Sequence, residues 1–393
     1  MKKLLFLSFY YKHDLCAGSF RATPLVNELA RRCGGAWEIH VLTTMPNRYS
    51  SFSAQAPSVE SNPGVKVFRF RLPPHRSGMA DQAVAFFRYA RMVVQTVRNN
   101  SYEGVFATSS RLATGVLGAW VARRSHLPYY LDIRDIFSDT LDDLFRGSPK
   151  RALLPFVRLA ETFALKTASH TNLVSGGFVP YFREKGLIGN FSLYPNGIDD
   201  EFVGRDFSKT QVDGRKTLLY AGNIGEGQGL HRIVPGLALR MGVNWVLRIV
   251  GDGGKRSELE REIAERNIPN VEILNPVPRG QLLDMYREAD VLFIHLNDHD
   301  AFKRVLPSKI FEYAATGKPI LAGVGGYAAE FLKKNVSNVS LFAPCDHPSA
   351  LEALQALKLD YTDRRIFVQK YSRKKITELL AEDILRVMNC PGR

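Results

Sequence analysis

A lysine and a glutamate three residues apart are the side chains whose spacing first suggests chemistry. Lys309 and Glu312 lie in the segment LPSKIFEYAATGKPILAGVGG, where a helix would place both on one face. Gly317 stands where a helix end favours a left-handed residue, and Pro319 prevents the helix from resuming before a buried strand. A fixed carboxylate there can accept both hydroxyls of a ribose, and the ammonium can face a phosphate as a point charge. The pattern indicates a nucleotide-linked substrate, although a solvated Lys/Glu pair on a helix surface would look the same.

Two glycine-rich loops follow predicted buried strands upstream of this segment. In TLLYAGNIGEGQGL the loop begins at Gly222 and includes Gly225, and a helix follows it. Glycines let backbone N–H groups approach an anion, so this loop predicts a diphosphate cradle, with a flexible strand-to-helix loop as the alternative. In WVLRIVGDGGKRSELE, Gly251 and Gly253 either line a pocket for a base or form a tight turn. The spacing differs from the dinucleotide-binding fingerprint.

The first half of the chain offers a second group of polar residues at predicted strand ends. Gly18 and Ser19 precede a helix that includes Arg21, and their N–H groups are predicted to face a ligand crevice. His13, beside the first strand, is the histidine of interest on this acceptor side.

The segment YYLDIRDIFSDT ends a predicted strand with three charged residues, Asp132, Arg134 and Asp135. Charges at the carboxyl end of a parallel strand lie at the ligand edge of the sheet. They are candidates for acceptor binding or proton handling, and a structural Asp/Arg pair is the alternative.

Metal binding is not expected from this sequence. Asp298, His299 and Asp300, with His295 upstream, fit no metal-site spacing. The cysteines Cys16, Cys33, Cys345 and Cys390 are scattered and form no C-x-x-C pair, which favours a reducing, cytoplasmic location. No cofactor is expected.

Length and pattern predict two α/β domains. The chain has 393 residues and a formal net charge of +14, from 53 Lys+Arg against 39 Asp+Glu. Such a length exceeds one ordinary core, and strands alternate with helices throughout, which predicts parallel sheets. The polar, turn-rich residues 193–215 interrupt the alternation. We therefore predict domains at residues 1–196 and 197–371, and a continuous, amphipathic, basic helix over residues 364–387.

The positive charge predicts a polyanionic partner. Residues 79–98 and 150–166 interleave aromatic or aliphatic side chains with arginine and lysine, a pattern that suits peripheral contact with an anionic membrane on the inner face of the plasma membrane. Packing of these helices against a sheet is the alternative. The initial apolar run of residues 3–9 is short and lacks a cleavage site, so it predicts a buried first strand.

Four motifs together resemble glycosyltransferase family 4, retaining enzymes of the GT-B fold with two facing Rossmann-like domains and a cleft between them. The motifs are LPSKIFEYAATGKPILA, LYPNGIDDEF, LLYAGNIGEGQGL and LRIVGDGGKRSELE. The Asn-Ile-Gly loop and LDIRDIFSD are most similar to the branch that adds amino or deoxy sugars to lipid-linked surface polysaccharide precursors. The tail, about residues 372–393, resembles the family's helix that packs back on the first domain.

The resemblance implies a role for each matching residue. Glu312 would bind the donor ribose, and Lys309 would lie near the diphosphate or sugar. The remaining donor-side residues would be Gly222, Asn223, Gly225 and Gly253, and the remaining acceptor-side residues would be Gly18, Arg134 and Asp135.

Two departures from the family pattern concern charge. The first glutamate of the family's pair is replaced by Arg304, and Asn223 and Gln228 occupy the loop positions of a usual arginine and lysine. Lys303, Arg304 and Lys309 are the candidates to neutralise the leaving diphosphate.

The expected activity is therefore transfer of a sugar from a nucleotide diphosphate donor, a UDP-sugar, to a lipid-linked or glycan acceptor. Two alternatives remain. One is a nucleotide-sugar 2-epimerase of the same architecture, which would need acid and base groups around one sugar. The other is a basic nucleic-acid-binding protein, which accounts for the charge but not for the ordered glycine loops, so no nucleic-acid partner is expected.

Overall fold

Two parallel sheets, each flanked by helices, organise the chain. The computed structural model describes residues 1–14, 16–46, 56–72, 79–186, 189–208 and 214–389. Residues 1–196 and 374–393 form one unit, and residues 197–373 form the other. The chain thus crosses between units twice, and the first crossing lies within the turn-rich segment 193–215.

The strands and helices have the following bounds. The strands are β1 (Lys2–Leu7), β2 (Trp37–Thr44), β3 (Val59–Asn62), β4 (Val65–Phe70), β5 (Gly104–Thr108), β6 (Tyr129–Ile133), β7 (His170–Leu173), β8 (Phe191–Ser192), β9 (Lys216–Ala221), β10 (Trp245–Val250), β11 (Val271–Leu274), β12 (Val291–His295), β13 (Ile320–Gly323) and β14 (Val339–Phe342). The α-helices are α1 (Ala17–Cys33), α2 (Met79–Arg98), α3 (Leu112–Ser125), α4 (Phe137–Leu144), α5 (Leu154–Thr167), α6 (Phe178–Glu184), α7 (Leu230–Met241), α8 (Arg256–Glu265), α9 (Arg279–Glu288), α10 (Lys309–Ala315), α11 (Gly326–Asn335), α12 (His347–Gln355), α13 (Arg365–Lys370) and α14 (Arg373–Asn389). Short 3₁₀ helices cover Pro149–Leu153, Asp200–Phe202, Glu226–Gln228 and Asp300–Arg304.

The strand orders place the carboxyl ends of β1 and β5, and those of β9 and β12, side by side. The sheet of the first unit has the order β3-β4-β2-β1-β5-β6-β7-β8, and that of the second has β11-β10-β9-β12-β13-β14. Neighbouring strands are parallel except β3 and β4. The order reverses between β1 and β5 and between β9 and β12. Ligands of open α/β sheets bind beyond the carboxyl ends of the strands at such a reversal.

The buried runs predicted as strands form the centres of the two sheets. In β12, every residue from Val291 to His295 is buried, as expected for a parallel strand covered on both faces. Separate apolar cores lie on the two faces of the second sheet. In the first unit, α1 and α14 pack on one face.

An aspartate secures the C-terminal helix to the sheet of the first unit. The Asp383 carboxylate accepts hydrogen bonds from the hydroxyls of Tyr130 (2.8 Å) and Ser192 (2.7 Å), and it lies 3.2 Å from His170 Nε2. Asp383 is buried. These contacts fix α14 across three neighbouring strands, β6, β7 and β8.

The prediction of one continuous helix over residues 364–387 is wrong. Helices α13 and α14 are separated at Tyr371 and Ser372, where the backbone pairs with a distant segment. Ile198 N–H donates to Tyr371 O, and Arg373 N–H donates to Ile198 O, both at 2.8 Å. The helical periodicity continues through the break, but this bridge removes the local backbone bonds that a helix would need.

Candidate functional site

The Glu312 carboxylate is the centre of a buried ion cluster in the second unit. Glu312 lies in the first turn of α10 and is 5% exposed. Its Oε2 accepts hydrogen bonds from Lys309 Nζ at 2.9 Å and Tyr286 Oη at 3.3 Å, and Arg279 Nη1 lies 3.4 Å away. The predicted pairing of Lys309 and Glu312 on one helix face is therefore present, and α9 contributes the other two groups.

The charges around Glu312 keep it ionised. Burial by itself would raise the pKa of this carboxyl, but Lys309 and Arg279 outweigh burial and lower the pKa to about 2. For Lys309, burial lowers the pKa, and the attraction of Glu312 more than reverses that effect. A buried carboxylate paired in this way is a fixed negative charge and a strong hydrogen-bond acceptor at neutral pH.

The turn that follows α10 has the predicted geometry. Gly317 has φ +71°, in the left-handed region, and a Cβ there would lie 2.7 Å from Thr362 O. Because only glycine fits this position without strain, the helix ends there, and β13 begins at Ile320.

The two glycine loops pack backbone against backbone. Ile224 N–H donates to Asp252 O, and Lys255 N–H donates to Ile224 O, both at 2.9 Å. A Cβ at Gly251 would lie 1.8 Å from Gly222 O, and one at Gly253 would lie 2.5 Å from Ile224 O. Gly251 and Gly253 are therefore required for the close approach of the first loop, whatever ligand the loops bind.

Asn223 and Gln228, two polar residues of the first glycine loop, bind each other. Asn223 Nδ2 donates to Gln228 Oε1 at 2.7 Å, which closes the first glycine loop with a neutral bridge. A Cβ at Gly225 would lie 2.4 Å from Asn223 Nδ2. Gly222 lies beside the site, because a Cβ there would be 3.6 Å from Lys309 Cε. The loop thus places glycine backbone, and no cation of its own, next to the Lys309 side chain.

A buried histidine supports the end of this loop. His295 Nδ1–H donates to Gln228 O at 2.6 Å, and Nε2 accepts from Cys345 N–H at 2.9 Å. Burial lowers the pKa of His295 to about 4. Asn297 adds a bond from its Nδ2 to Glu226 O at 2.9 Å. Sequence reasoning examined His295 only as a metal ligand, whereas the structure uses it as a neutral hydrogen-bonding bridge.

Arg304 is not one of the residues that contact the Glu312 carboxylate. It is the last residue of the 3₁₀ helix Asp300–Arg304 and is half-buried. The polar contacts of Glu312 come instead from Lys309, Tyr286 and Arg279. Tyr286 and Arg279 were missed by the sequence reasoning because nothing in their local pattern signals a contact with α10.

In the first unit, the structural Asp/Arg pair is Arg21 with Asp132. Arg21 donates from Nε and Nη2 to the two carboxylate oxygens of Asp132, each at 3.0 Å, and to the carbonyls of Tyr194 and Pro195. Arg21 is 5% exposed and Asp132 is 1% exposed. Asn172 donates a further bond to Asp132 at 2.6 Å. These hydrogen bonds engage both side chains, and they join α1 to β6 and to residues 194–195.

Arg134 and Asp135 are the two charged residues directly after β6. Arg134 Nη2 donates to Asn196 Oδ1 at 3.3 Å, whereas Nη1 is buried and has no hydrogen-bond partner among the described residues. Asp135 is exposed at the surface. Although part of the residue reaches solvent, desolvation of the carboxyl by the surrounding protein raises the pKa of Asp135 to about 6, and Arg134 opposes that rise. A carboxylate with this pKa can take up a proton near neutral pH.

The other predicted acceptor-side residues lie around the start of α1. Gly18 and Ser19 are buried in its first turn. Gly18, Arg21 and Arg134 line one crevice that has no room for a water molecule. His13 has φ +87°, and burial together with Arg69 lowers its pKa.

Within the described ranges, no three His, Cys, Asp or Glu side chains are grouped closely enough to hold a metal ion. Asp300 instead forms an ion pair with Lys303 at 2.7 Å, and His299 lies 3.9 Å from Glu226.

Exposed apolar and basic side chains alternate on two helices of the first unit, α2 and α5. On α2, Phe87 is 73% exposed beside the exposed Arg88 and Arg91. On α5, Phe156 is 71% and Leu159 68% exposed. Helix α3 contacts both α2 and α5. Along the described part of the chain, no helix combines the length and apolar character that a membrane span requires.

Sequence comparison identifies both units. Residues 21–197 match the family model described as glycosyl transferase 4-like domain, and residues 204–375 match the one described as glycosyl transferases group 1. The chain is also 28% identical over 208 residues to the putative colanic acid biosynthesis glycosyl transferase WcaI of Escherichia coli K12. That alignment spans 50% of this chain and 50% of the length of the relative.

Solved structures share the architecture. Sucrose-phosphate synthase from Thermosynechococcus elongatus superposes with a TM-score of 0.74 at 15% identity, covering 99% of this chain and all of that one. Anabaena HepE in complex with UDP-glucose gives a TM-score of 0.64 at 17% identity, covering 98% of this chain and all of that one. At these identities the likeness establishes the fold.

Proposed function

Since this chain belongs to glycosyltransferase family 4 and has the GT-B fold, we propose that it transfers a sugar from a UDP-sugar to a lipid-linked or glycan acceptor. The product would be a cell-surface polysaccharide or its precursor, and the anomeric configuration would be retained. The similarity to a protein named for colanic acid biosynthesis supports the polysaccharide role, and the similarity to HepE, solved with UDP-glucose, supports the UDP donor.

One observation carries the proposal: a buried, ionised glutamate is paired with Lys309, which lies beside glycine backbone at the ligand edge of a parallel sheet. Glu312 can accept a hydrogen bond from a ribose hydroxyl, and Gly222 brings backbone without a side chain next to Lys309, which could face a phosphate. An acid and a cation so close together match a ligand that has hydroxyls and phosphates on adjacent groups. The second unit would therefore bind the donor.

Protein cations would stabilise the departing diphosphate. Lys309 retains 26% side-chain exposure beside the glycine loop, and Arg304 replaces an acidic residue of the family pattern. We propose that Arg304, Lys303 and Lys309 supply this charge, and that the reaction needs no metal or cofactor. Activity that survives treatment with EDTA would agree with this proposal, and activity restored by added Mg²⁺ or Mn²⁺ would contradict it.

The first unit would bind the acceptor near Arg134 and Asp135. Because the pKa of Asp135 is raised to about 6, this exposed carboxylate could receive the proton of an acceptor hydroxyl near neutral pH. Arg134 directly follows the same strand, β6, and would help to bind the acceptor. In a front-face reaction the leaving phosphate would share the proton handling.

Calorimetric titration of UDP tests the donor site. Replacement of Glu312 or of Arg304 by alanine should each weaken UDP binding by about ten- to a hundredfold, the value of a hydrogen bond to a charged group. The matched control removes Glu265, which lies 3.7 Å from Arg261 in a pair that is 63% exposed at both ends, and it should leave the affinity unchanged. Unchanged UDP affinity in both the Glu312 and Arg304 variants would refute the site.

Incubation of UDP-sugars without acceptor tests the epimerase alternative. A glycosyltransferase should leave the donor configuration unchanged, whereas appearance of the 2-epimer would reassign the activity. A thermal-shift screen across UDP-, GDP-, dTDP- and ADP-sugars identifies the nucleotide, because a ligand that binds the folded state raises apparent stability.

We also propose that helices α2 and α5 contact an anionic membrane, which would bring the enzyme to a lipid-linked acceptor on the inner face of the plasma membrane. Exposed Phe87 and Phe156 would insert among lipids while neighbouring arginines bind headgroups. Co-sedimentation with phosphatidylglycerol vesicles should fall when both phenylalanines are replaced by serine. Replacement of the exposed Ile366, which is 83% exposed in the other unit, is the control. Equal sedimentation of the double variant would refute the contact.

A further inference from the structure

Arg279 occupies a position that its local sequence does not favour. It is the first residue of α9, where the helix dipole is positive and a cation is disfavoured. Three carboxylates offset this cost. Arg279 Nη2 lies 3.0 Å from Asp199 Oδ2, Nε lies 3.0 Å from Glu201 Oε2, and Nη1 lies 3.4 Å from Glu312 Oε2.

The guanidinium is therefore fixed on every edge. Each of its three nitrogens faces a different carboxylate, and the ring of Phe202 lies beneath it with its centroid 5.1 Å from Cζ. Asp199 is fixed in turn, because Arg373 Nε donates to its other oxygen. Arg373 also donates to Gly197 O at 2.9 Å. A continuous row of alternating charges thus runs from Arg373 through Asp199 and Arg279 to Glu312.

The contacts of Glu312 are asymmetric. All of its polar contacts in the described part of the chain, from Lys309, Tyr286 and Arg279, reach the same oxygen, Oε2. With Oε2 held from three directions, the second oxygen, Oε1, is left to accept a hydrogen bond from a ligand. The carboxylate cannot rotate to exchange its oxygens without breaking these contacts.

We propose that Arg279 is a positioning residue, which through its anchor on Asp199 and Glu201 holds Glu312 in the orientation that receives the ribose of the donor. This inference rests on the proposed function, since it takes the ligand of Glu312 to be a ribose. The segment NGIDDEF, residues 196–202, would then contribute to donor recognition, because its Asp199 and Glu201 hold the Arg279 side chain that contacts Glu312.

Discrimination between UDP and 2′-deoxy-UDP tests the proposal with the full chain. The wild-type protein should bind UDP about ten- to a hundredfold more tightly than the deoxy nucleotide. Replacement of Arg279 by methionine should reduce that ratio at least tenfold while changing the affinity for 2′-deoxy-UDP little. If Arg279 had only a structural role, the substitution would weaken the binding of both nucleotides equally and leave the ratio of their affinities unchanged.

Three further variants make the result decisive. Asp199→Asn, which removes the charge that anchors Arg279, should reduce the ratio in the same direction and carries the test if the methionine variant fails to fold. Arg279→Lys keeps the charge but cannot span three carboxylates, so it should recover only part of the ratio. Arg261→Met, which breaks an exposed pair at 3.7 Å, should behave as wild type.

The outcomes separate the two proposals. If Glu312→Gln loses the ratio and neither Arg279→Met nor Asp199→Asn does, the positioning role is wrong and the donor site stands. If the wild-type protein binds UDP and 2′-deoxy-UDP equally, or binds neither, the assignment of Glu312 to a ribose is wrong, and the positioning role falls with it.

Discussion

Replacement of Glu312 by glutamine should remove about 3 kcal/mol from the unfolding free energy of the second unit at pH 7. The substitution keeps the shape of the side chain and removes its charge. Lys309 and Arg279 then remain close together without the carboxylate that offsets their repulsion and their burial. Breaking a buried ion pair by removing one partner typically costs about 3–5 kcal/mol.

The pKa of the carboxyl gives the same magnitude and adds a pH dependence. The folded protein lowers it from the ordinary 4.5 to about 2, a difference worth about 3 kcal/mol at neutral pH. A depressed carboxyl pKa contributes stability that is complete above the unfolded value and is lost as the pH falls toward the folded value. The difference between wild type and Glu312→Gln should therefore shrink to about 2 kcal/mol at pH 3.5.

The assay is urea unfolding followed by the fluorescence of Trp245, which lies at the start of β10 in the second unit. The other two tryptophans, Trp37 and Trp120, belong to the first unit and are replaced by phenylalanine in both proteins. The control is Glu265→Gln, which removes the same charge from an exposed pair and should change stability by less than about 0.5 kcal/mol.

Two results would refute the reasoning. If Glu312→Gln unfolds at the wild-type urea concentration at pH 7, the cluster contributes nothing to stability. If its deficit is as large at pH 3.5 as at pH 7, the effect comes from packing and not from the ionised carboxylate.

Three further predictions concern the loops, the C-terminal helix and the buried histidine. Gly251→Ala should cost more than about 4 kcal/mol or prevent folding, since its Cβ would lie 1.8 Å from a backbone oxygen, whereas Gly254→Ala, with nothing within 4 Å, should be nearly neutral in the same melts. Asp383→Asn should destabilise the first unit by about 2 kcal/mol, because it weakens the hydrogen bonds that two hydroxyls donate to this carboxylate. Glu382 is 68% exposed, so Glu382→Gln should leave the stability unchanged. Equal effects of the two substitutions would contradict this account. Because burial lowers the pKa of His295 to about 4 while the unfolded imidazole titrates near 6.5, stability should fall as the pH drops from 6.5 toward 4. NMR of ¹⁵N-histidine should show this ring neutral with the proton on Nδ1 at pH 5.5, and a protonated ring there would be inconsistent with the structure.

The local sequence pattern was sufficient to predict several strands and one side-chain contact of the candidate site. The buried strands predicted before the two glycine loops and in YYLDIRDIFSDT are present as β9, β10 and β6. The spacing of Lys309 and Glu312 predicted their contact, because helix geometry alone brings residues three apart together. The left-handed glycine at position 317 was predicted for the same local reason.

Contacts between distant segments were not accessible in this way. Tyr286 and Arg279 reach Glu312 from another helix, and the break before α14 depends on backbone pairing with Ile198. No periodicity or propensity records such pairings, because they arise only when the strands have been placed side by side.

The order of residues along the chain determined where helices and strands begin, which glycines must adopt left-handed backbone, and which acid and base share a helix face, since these depend on neighbours within a few positions. Packing of the second unit decided that the Glu312 carboxylate is held by one oxygen between Lys309 and Arg279. Packing of the first unit decided that Arg21 pairs with Asp132, and that one nitrogen of Arg134 has no hydrogen-bond partner in the part of the chain that the structure describes. Burial and through-space charge set these properties, and both depend on groups that the chain brings together from distant positions.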